Sequence, residues 1–176
     1  MDPFERFHRR SLADVLAAQG ILPRERIDEL AATAKTSGEP LGTVLLESGA
    51  MTAWDLAKSI AAQYQMPVHP LTGYRFDKEV VEGLRSDLLH RNQVMPLARF
   101  GSTRTFAVLE PPSRELIAEL QSACGPSIFF FVAEGPEIRR SLHEHVKVVD
   151  AAKDGAWQQI FDVAEQSVMK GLSKKP

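Results

Sequence analysis

The sequence predicts an α+β chain. A small four-helix bundle built from two repeated helix pairs comes first, over residues 1–65. A small mixed α/β domain of order β-α-β-β-α-β-α follows over 66–145, and a linker with an amphipathic helix closes the chain over 146–176. Three observations predict this. Residues 11–34 and 40–63 align at an offset of 29, with a five-residue spacer between them. Apolar residues recur at helical spacing in both blocks. After Gln65 the pattern changes to short apolar runs punctuated by Gly and Pro, which read as strands between helices.

In the first block, Leu12, Val15, Leu16 and Gln19 keep helical spacing up to Gly20. In the second, Leu41, Val44, Leu45 and Ser48 do so up to Gly49. A glycine at that place takes positive φ and ends a helix. Thr52 is then placed to cap the next helix, with Asp55 three residues on. Pro23 occupies the matching place in the first block, where a missing N–H costs little. Ile27, Leu30 and Ala31 share one face, as do Leu56, Ile60 and, more weakly, Gln63. These stripes pack four helices together. A bundle this small buries little core and is expected to lean on the next region.

In that region, Met66-Pro67-Val68 reads as a short extended piece and Phe76–His90 as a helix with Val80, Val81, Leu84, Leu88 and Leu89 on its apolar face. Residues 93–100 and 104–109 read as a hairpin turned at Gly101-Ser102. Ser113 caps a helix over 114–124, and Gly125-Pro126 ends it. Ile128 and three successive phenylalanines read as a strand buried on both faces. A last helix starts at Gly135-Pro136. The expected product is a small mixed sheet with helices over one face. In the tail, Trp157, Ile160, Phe161, Ala164 and Val168 recur at helical spacing, either as the start of a further element or as a partner-binding helix.

Composition narrows the function. The 176 residues are 44% hydrophobic and 25% charged, with 21 basic against 23 acidic residues and a net charge of -2. No dominant basic surface for nucleic acid follows from that balance. One cysteine forms neither an internal disulfide nor a clustered thiolate metal site. No apolar run approaches the roughly 18 residues of a membrane span, and the N-terminus lacks the basic start and apolar core of a signal peptide. A cytoplasmic location is the simplest expectation. The five histidines include no HExxH pair, no serine sits in a GxSxG elbow, and no GxxxxGK[ST] loop is present. Cys124, near a helix end beside Gly125, reads as a small buried hydrophobe. No catalytic set, cofactor or metal site is expected.

Binding residues are a different matter. Arg6, Arg9 and Arg10 cluster before the first block, and a guanidinium both stacks on a guanine face and forks to a phosphate. The helix start at Leu41-Gly42 offers backbone N–H groups that suit a phosphate, with Gly42 allowing close approach. Trp54 and Tyr64, off the apolar stripe of Leu56 and Ile60, suit a docking surface or contact with the second region.

The pattern LGxxLLxxGxxTxxxLxxxIxxQ, running from Leu41 to Gln63, resembles the N-terminal domain of type II secretion and type IV pilus assembly ATPases. Gln63-Tyr64-Gln65-Met66-Pro67-Val68, Val94-Met95-Pro96-Leu97 and Phe106-Ala107-Val108-Leu109-Glu110-Pro111 extend the likeness to residues 11–145. The last of these has Leu-Glu where the family has Ala-Asp. The resemblance implies a non-catalytic docking and regulatory module in the cytoplasm, peripheral to the inner membrane through a partner. That partner is the cytoplasmic portion of an inner-membrane secretion or pilus protein, and the ATPase domain itself lies outside these 176 residues. In a subset of the family, two 24-residue motifs joined by a five-residue spacer bind cyclic di-GMP. The candidate ligand residues carried over are Arg10, Leu12, Leu16, Leu41, Gly42, Leu45 and Gln63, and the candidate partner residues are Trp54, Tyr64, Trp157 and Phe161. The motif's leading arginine is replaced by Pro40 in the second copy. The first copy has Ser11, Ala13 and Ala34 where the motif has Arg, Gly and Gln, and Arg10 sits one residue early, about 100° round a helix.

Overall fold

The two glycines between the predicted helices both sit at positive φ, 65° at Gly20 and 69° at Gly49. The computed structural model describes residues 4–147. In it each glycine separates a short helix from a longer one: α1 (Leu12–Gln19) from α2 (Arg24–Ser37), and α3 (Leu41–Glu47) from α4 (Ala53–Tyr64). The Ser11 hydroxyl accepts the Asp14 N–H at 3.1 Å and the Thr52 hydroxyl accepts the Asp55 N–H at 3.1 Å. Each cap satisfies one of the orphan donors of a helix start. Proline occupies the cap position of both other helices, Pro23 before α2 and Pro40 before α3. The repeat in the sequence is therefore a repeat in the backbone.

After a short 3-10 turn (Lys78–Val81) come α5 (Ser86–Arg91), β1 (Val94–Phe100), β2 (Thr103–Val108), α6 (Arg114–Cys124), β3 (Ile128–Val132) and α7 (Gly135–His145). The sheet has order β1-β2-β3. The first pair is an antiparallel hairpin with an irregularity between Pro96 and Ala98. The second pair is parallel, and α6 makes the crossover that parallel strands require.

Three expectations are corrected here. Residues 76–90 do not form one helix. Gly83 sits at φ 76° and breaks the run, and the Arg104 guanidinium on β2 donates to the Glu82 carbonyl at 2.8 Å and the Val80 carbonyl at 3.4 Å. Those carbonyls serve a tertiary contact instead of a helix ladder. Met66-Pro67-Val68 contributes only a single parallel bridge from Val68 to Val132. The phenylalanine run is not buried on both faces: Phe130 is 2% exposed but Phe129 is 40% exposed, as expected when side chains alternate between a covered and an open face of a strand.

One hydrophobic cluster joins the halves. Leu16 and Ile27 of the first block, Leu45, Leu56 and Ile60 of the second, and Phe106, Leu120 and Ile138 of the α/β region are all fully buried in it. Phe4 and Phe7 cover one face of β3, their rings 5.8 Å and 6.2 Å from Phe130. His69 covers the other face, 5.3 Å from Phe131. The small bundle is stabilised by sharing this core rather than by its own interior.

Candidate functional site: a cleft between the two blocks

Equivalent positions of the two blocks meet at one cleft of about 750 Å³. Ser11 and Leu12 line it from the first block, and their counterparts Pro40 and Leu41 from the second. Lys35 and Tyr64 also lie 29 residues apart and both line it, as do Arg10 and Glu39. The repeat thus brings matched positions to one cleft, and the match fails in charge at one pair, where Arg10 has Glu39 as its counterpart.

Its charges fall into two groups. Arg24 is held by Asp14 at 3.0 Å and Asp28 at 3.0 Å. The Asp14 carboxyl is depressed, first by the Ser11 hydroxyl and then by Arg24. Arg10 and Lys35 make no side-chain hydrogen bond or ion pair among the described residues, so their charges are open to a ligand. On the inner wall, Glu110 accepts the Gly42 N–H at 3.1 Å. Burial pushes its carboxyl up, opposed by that N–H. The buried Tyr64 hydroxyl donates to the Arg10 carbonyl at 3.0 Å. Its pKa is pushed up to about 12 by burial and then by the charges of Glu110 and Asp14, which keeps it a neutral donor.

Of the predicted ligand residues, Arg10, Leu12 and Leu41 share this cleft. Leu16 and Leu45 are both 0% exposed and serve the core. Gln63 is exposed on α4 and does not line the cleft. Gly42 has its N–H already taken by Glu110. A Cβ there would lie 3.1 Å from the Leu109 side chain and 3.3 Å from that of Leu56. Its small size therefore serves packing, where the sequence suggested phosphate approach. Glu110 was missed as a cleft residue. Its one signal is the Leu-Glu-Pro that replaces Ala-Asp-Pro.

Of the predicted partner residues, Trp54 is 52% exposed, with the Lys58 ammonium 5.8 Å from its ring centre. Tyr64 is 2% exposed and offers no docking surface. Trp157 and Phe161 lie outside the described residues. A second cleft of about 860 Å³, at the opposite ends of the short helices, is lined by Ile21, Met51 and Lys58 among others and contains none of the predicted ligand residues.

Nothing in the cleft resembles a catalytic set. The Cys124 thiol donates to the Leu120 carbonyl at 2.8 Å and is pushed up by burial, so it is a poor nucleophile. His8 faces the Pro112 carbonyl at 3.2 Å. Among the described residues, no cluster of three or more His, Cys, Asp or Glu could hold a metal ion, and no helix is long and apolar enough to cross a membrane.

The profile of the MshEN domain matches residues 64–152, half of the chain. This chain belongs to the MshEN domain family. Solved structures share the fold. The structure of MshE with cdg is 22% identical with a TM-score of 0.60, covering 78% of this chain and 99% of that one. The N-terminal domain of XpsE, in one crystal form, is 19% identical with a TM-score of 0.60, covering 77% and 96%. A curated relative, the type IV pilus assembly ATPase PilB of Myxococcus xanthus (strain DK1622), is 19% identical over 134 residues, which is 76% of this chain. The chain spans about a quarter of PilB's length, 24%.

Proposed function

We propose that this member of the MshEN family is a regulatory module that binds cyclic di-GMP in the cleft between its two helical blocks. The observation that carries the reading is the cleft's pairing of equivalent positions, Ser11-Leu12 with Pro40-Leu41 and Lys35 with Tyr64. A cyclic dinucleotide has two identical halves and suits a site with two matching walls. Its chemistry suits the lining as well. Phosphates attract the open cations Arg10 and Lys35. Guanine edges present N–H donors, which suit a carboxylate such as Glu110 on the inner wall. Leu12 and Leu41 supply apolar contact for the bases. The likeness to MshE, solved with cdg, adds support.

Titration calorimetry with cyclic di-GMP at near-physiological salt tests the reading. Pro40 and Ser11 stand where the motif has arginine, so the expected dissociation constant is on the order of micromolar, near 8 kcal/mol of binding free energy. Arg10→Ala and Leu41→Ala each weaken it about tenfold or more. Absence of saturable binding overturns the proposal.

A second reading has its own observation. Trp54, Phe100 and Phe129 are exposed at 52%, 70% and 40%, and large exposed apolar side chains suit a protein partner. Under it, the chain docks on the cytoplasmic portion of an inner-membrane secretion or pilus protein, in the cytoplasm and peripheral to the membrane, with an ATPase domain beyond these residues. A boundary near residue 65 then divides a ligand-binding helical subdomain from an α/β subdomain (66–145). Trp54→Ala that abolishes capture of the cytoplasmic fragment of such a partner, while leaving the nucleotide titration unchanged, favours this second role. Unchanged capture removes Trp54 from it.

A further inference from the structure

Among the described residues, two that are not glycine sit at positive φ, Gln65 at 52° and Gln93 at 50°. Both follow a helix. The Gln65 N–H donates to the Ala61 carbonyl at the end of α4, and the Gln93 N–H donates to the His90 carbonyl at 3.2 Å after α5. Glycine is the usual residue at such a stop because a Cβ is strained there. Each glutamine therefore carries a backbone cost.

The side chains differ. Gln65 is exposed. Gln93 is half-buried, and its Nε2 donates to the Thr43 hydroxyl at 2.8 Å, across 50 residues of chain. Thr43 is 3% exposed, in the first turn of α3. Its neighbours are Leu41, which walls the cleft, and Gly42, whose N–H is held by Glu110. Two successive residues of this turn are thus tied to the α/β region, one to the loop after β2 and the other to the residue before β1.

We propose that Gln93 is a positioning residue of the cleft. It holds the first turn of α3 so that Leu41 and the Gly42–Glu110 contact keep the geometry a ligand requires. The strain alone does not mark a use, because Gln65 carries it with an exposed side chain; the bond to Thr43 is what sets Gln93 apart, and Gln65 is the internal control for the backbone part. The proposal rests on the cyclic di-GMP reading for its functional consequence.

The test compares Gln93→Gly with Gln65→Gly in the full chain. Both substitutions relieve the same backbone strain. Three quantities are read: Tm, the dissociation constant for cyclic di-GMP, and amide exchange of Gly42 and Thr43 by NMR. Gln93→Gly is expected to weaken binding about threefold to tenfold, the range of one lost hydrogen bond, and to speed exchange at these amides without lowering Tm. Gln65→Gly changes neither binding nor exchange. Thr43→Val removes the same bond from the other side and reproduces the Gln93→Gly result, and the double variant is no worse than either single one. Wild-type binding and exchange in Gln93→Gly overturn the proposal, as does equal weakening by Gln65→Gly. If the wild-type chain binds no cyclic di-GMP, the cleft reading fails on that result alone. The exchange comparison then decides the role of Gln93, with unchanged exchange overturning it and faster exchange confined to Gln93→Gly and Thr43→Val supporting it.

Discussion

Leu16 and Leu45 occupy equivalent positions in the two blocks and are both 0% exposed, yet the blocks meet different surroundings. The second block faces the α/β region, with Leu56, Ala57 and Ile60 of α4 fully buried. The first lies outside it, and α2 buries only Ile27, Leu30 and Ala34 along its fourteen residues. Gly42 of the second block abuts Leu109, while its counterpart Ala13 has room for a methyl group. Arg10 precedes the first block and Glu39 the second. A duplicated backbone has thus been used once as core and once as cover, and the cleft lies where the two uses meet.

The largest effects probe the shared part. Leu16→Ala and Leu45→Ala are each expected to cost about 3 kcal/mol, the range for deleting a fully buried leucine side chain. Urea denaturation measures both. Near-equal losses confirm that the two positions are equivalent in energy as well as in backbone, whereas a loss at Leu16 below about 1 kcal/mol breaks the equivalence.

Gly42→Ala against Ala13→Gly sharpens the difference between the blocks. The added Cβ at Gly42 lies 3.1 Å from Leu109. Leu109 has little room to yield, because it is 2% exposed and is also packed close to Gly135. Overpacking of this kind costs about 1–3 kcal/mol. Ala13→Gly loses helix propensity and the contact of a half-buried methyl group with the core, together about 1 kcal/mol. Equal costs in the same denaturation assay would mean that Leu109 moves aside.

These positions also show what the sequence made legible. The repeat was readable because its determinants are local: apolar spacing within each helix, and glycines at 20 and 49 that the backbone requires at positive φ. The break at Gly83 was not, because the carbonyls of Val80 and Glu82 are taken by Arg104, a residue on another element. The exposure of Phe129 depends on which face of β3 the rest of the chain covers, which strand composition does not reveal. Of the ligand residues that the family resemblance suggests, Arg10, Leu12 and Leu41 line the cleft. Glu110 was missed because its contact with Gly42 spans 68 residues of chain, and Gly42 was assigned to a ligand because close packing and close ligand approach both select glycine.

Tyr64 and Lys35 are counterparts on α4 and α2, one buried and one at the rim. Tyr64→Phe removes the bond to the Arg10 carbonyl and is expected to cost about 1 kcal/mol near neutral pH. The folded-state pKa is raised to about 12, so the folded chain holds the phenolic proton more tightly than the unfolded one. The stability this contributes is complete below the ordinary tyrosine value near 10 and is lost as pH rises through about 12. Denaturation across that window should show wild type and Tyr64→Phe converging as the pH climbs. A constant gap means that the hydroxyl does not titrate as argued.

The smallest effect tests the broken symmetry of the rim. Glu39 is the counterpart of Arg10, 29 residues on, and is exposed, so Glu39→Arg is expected to leave stability within about 0.5 kcal/mol. Its effect on a dianionic ligand has a definite sign. The substitution removes one negative charge and adds a positive one at the wall that lacks an arginine, giving both walls a guanidinium. Because the site is open to solvent and screened by salt, the expected tightening of cyclic di-GMP binding is about threefold to fivefold at physiological ionic strength, growing as salt is lowered. Arg10→Glu, the mirror change, should weaken binding by at least as much. Opposite signs for the two substitutions, with the gap widening at low salt, are what a cleft with two phosphate-facing walls requires. If Glu39→Arg weakens binding, the carboxylate contacts a guanine edge directly, and the two walls read different parts of the ligand.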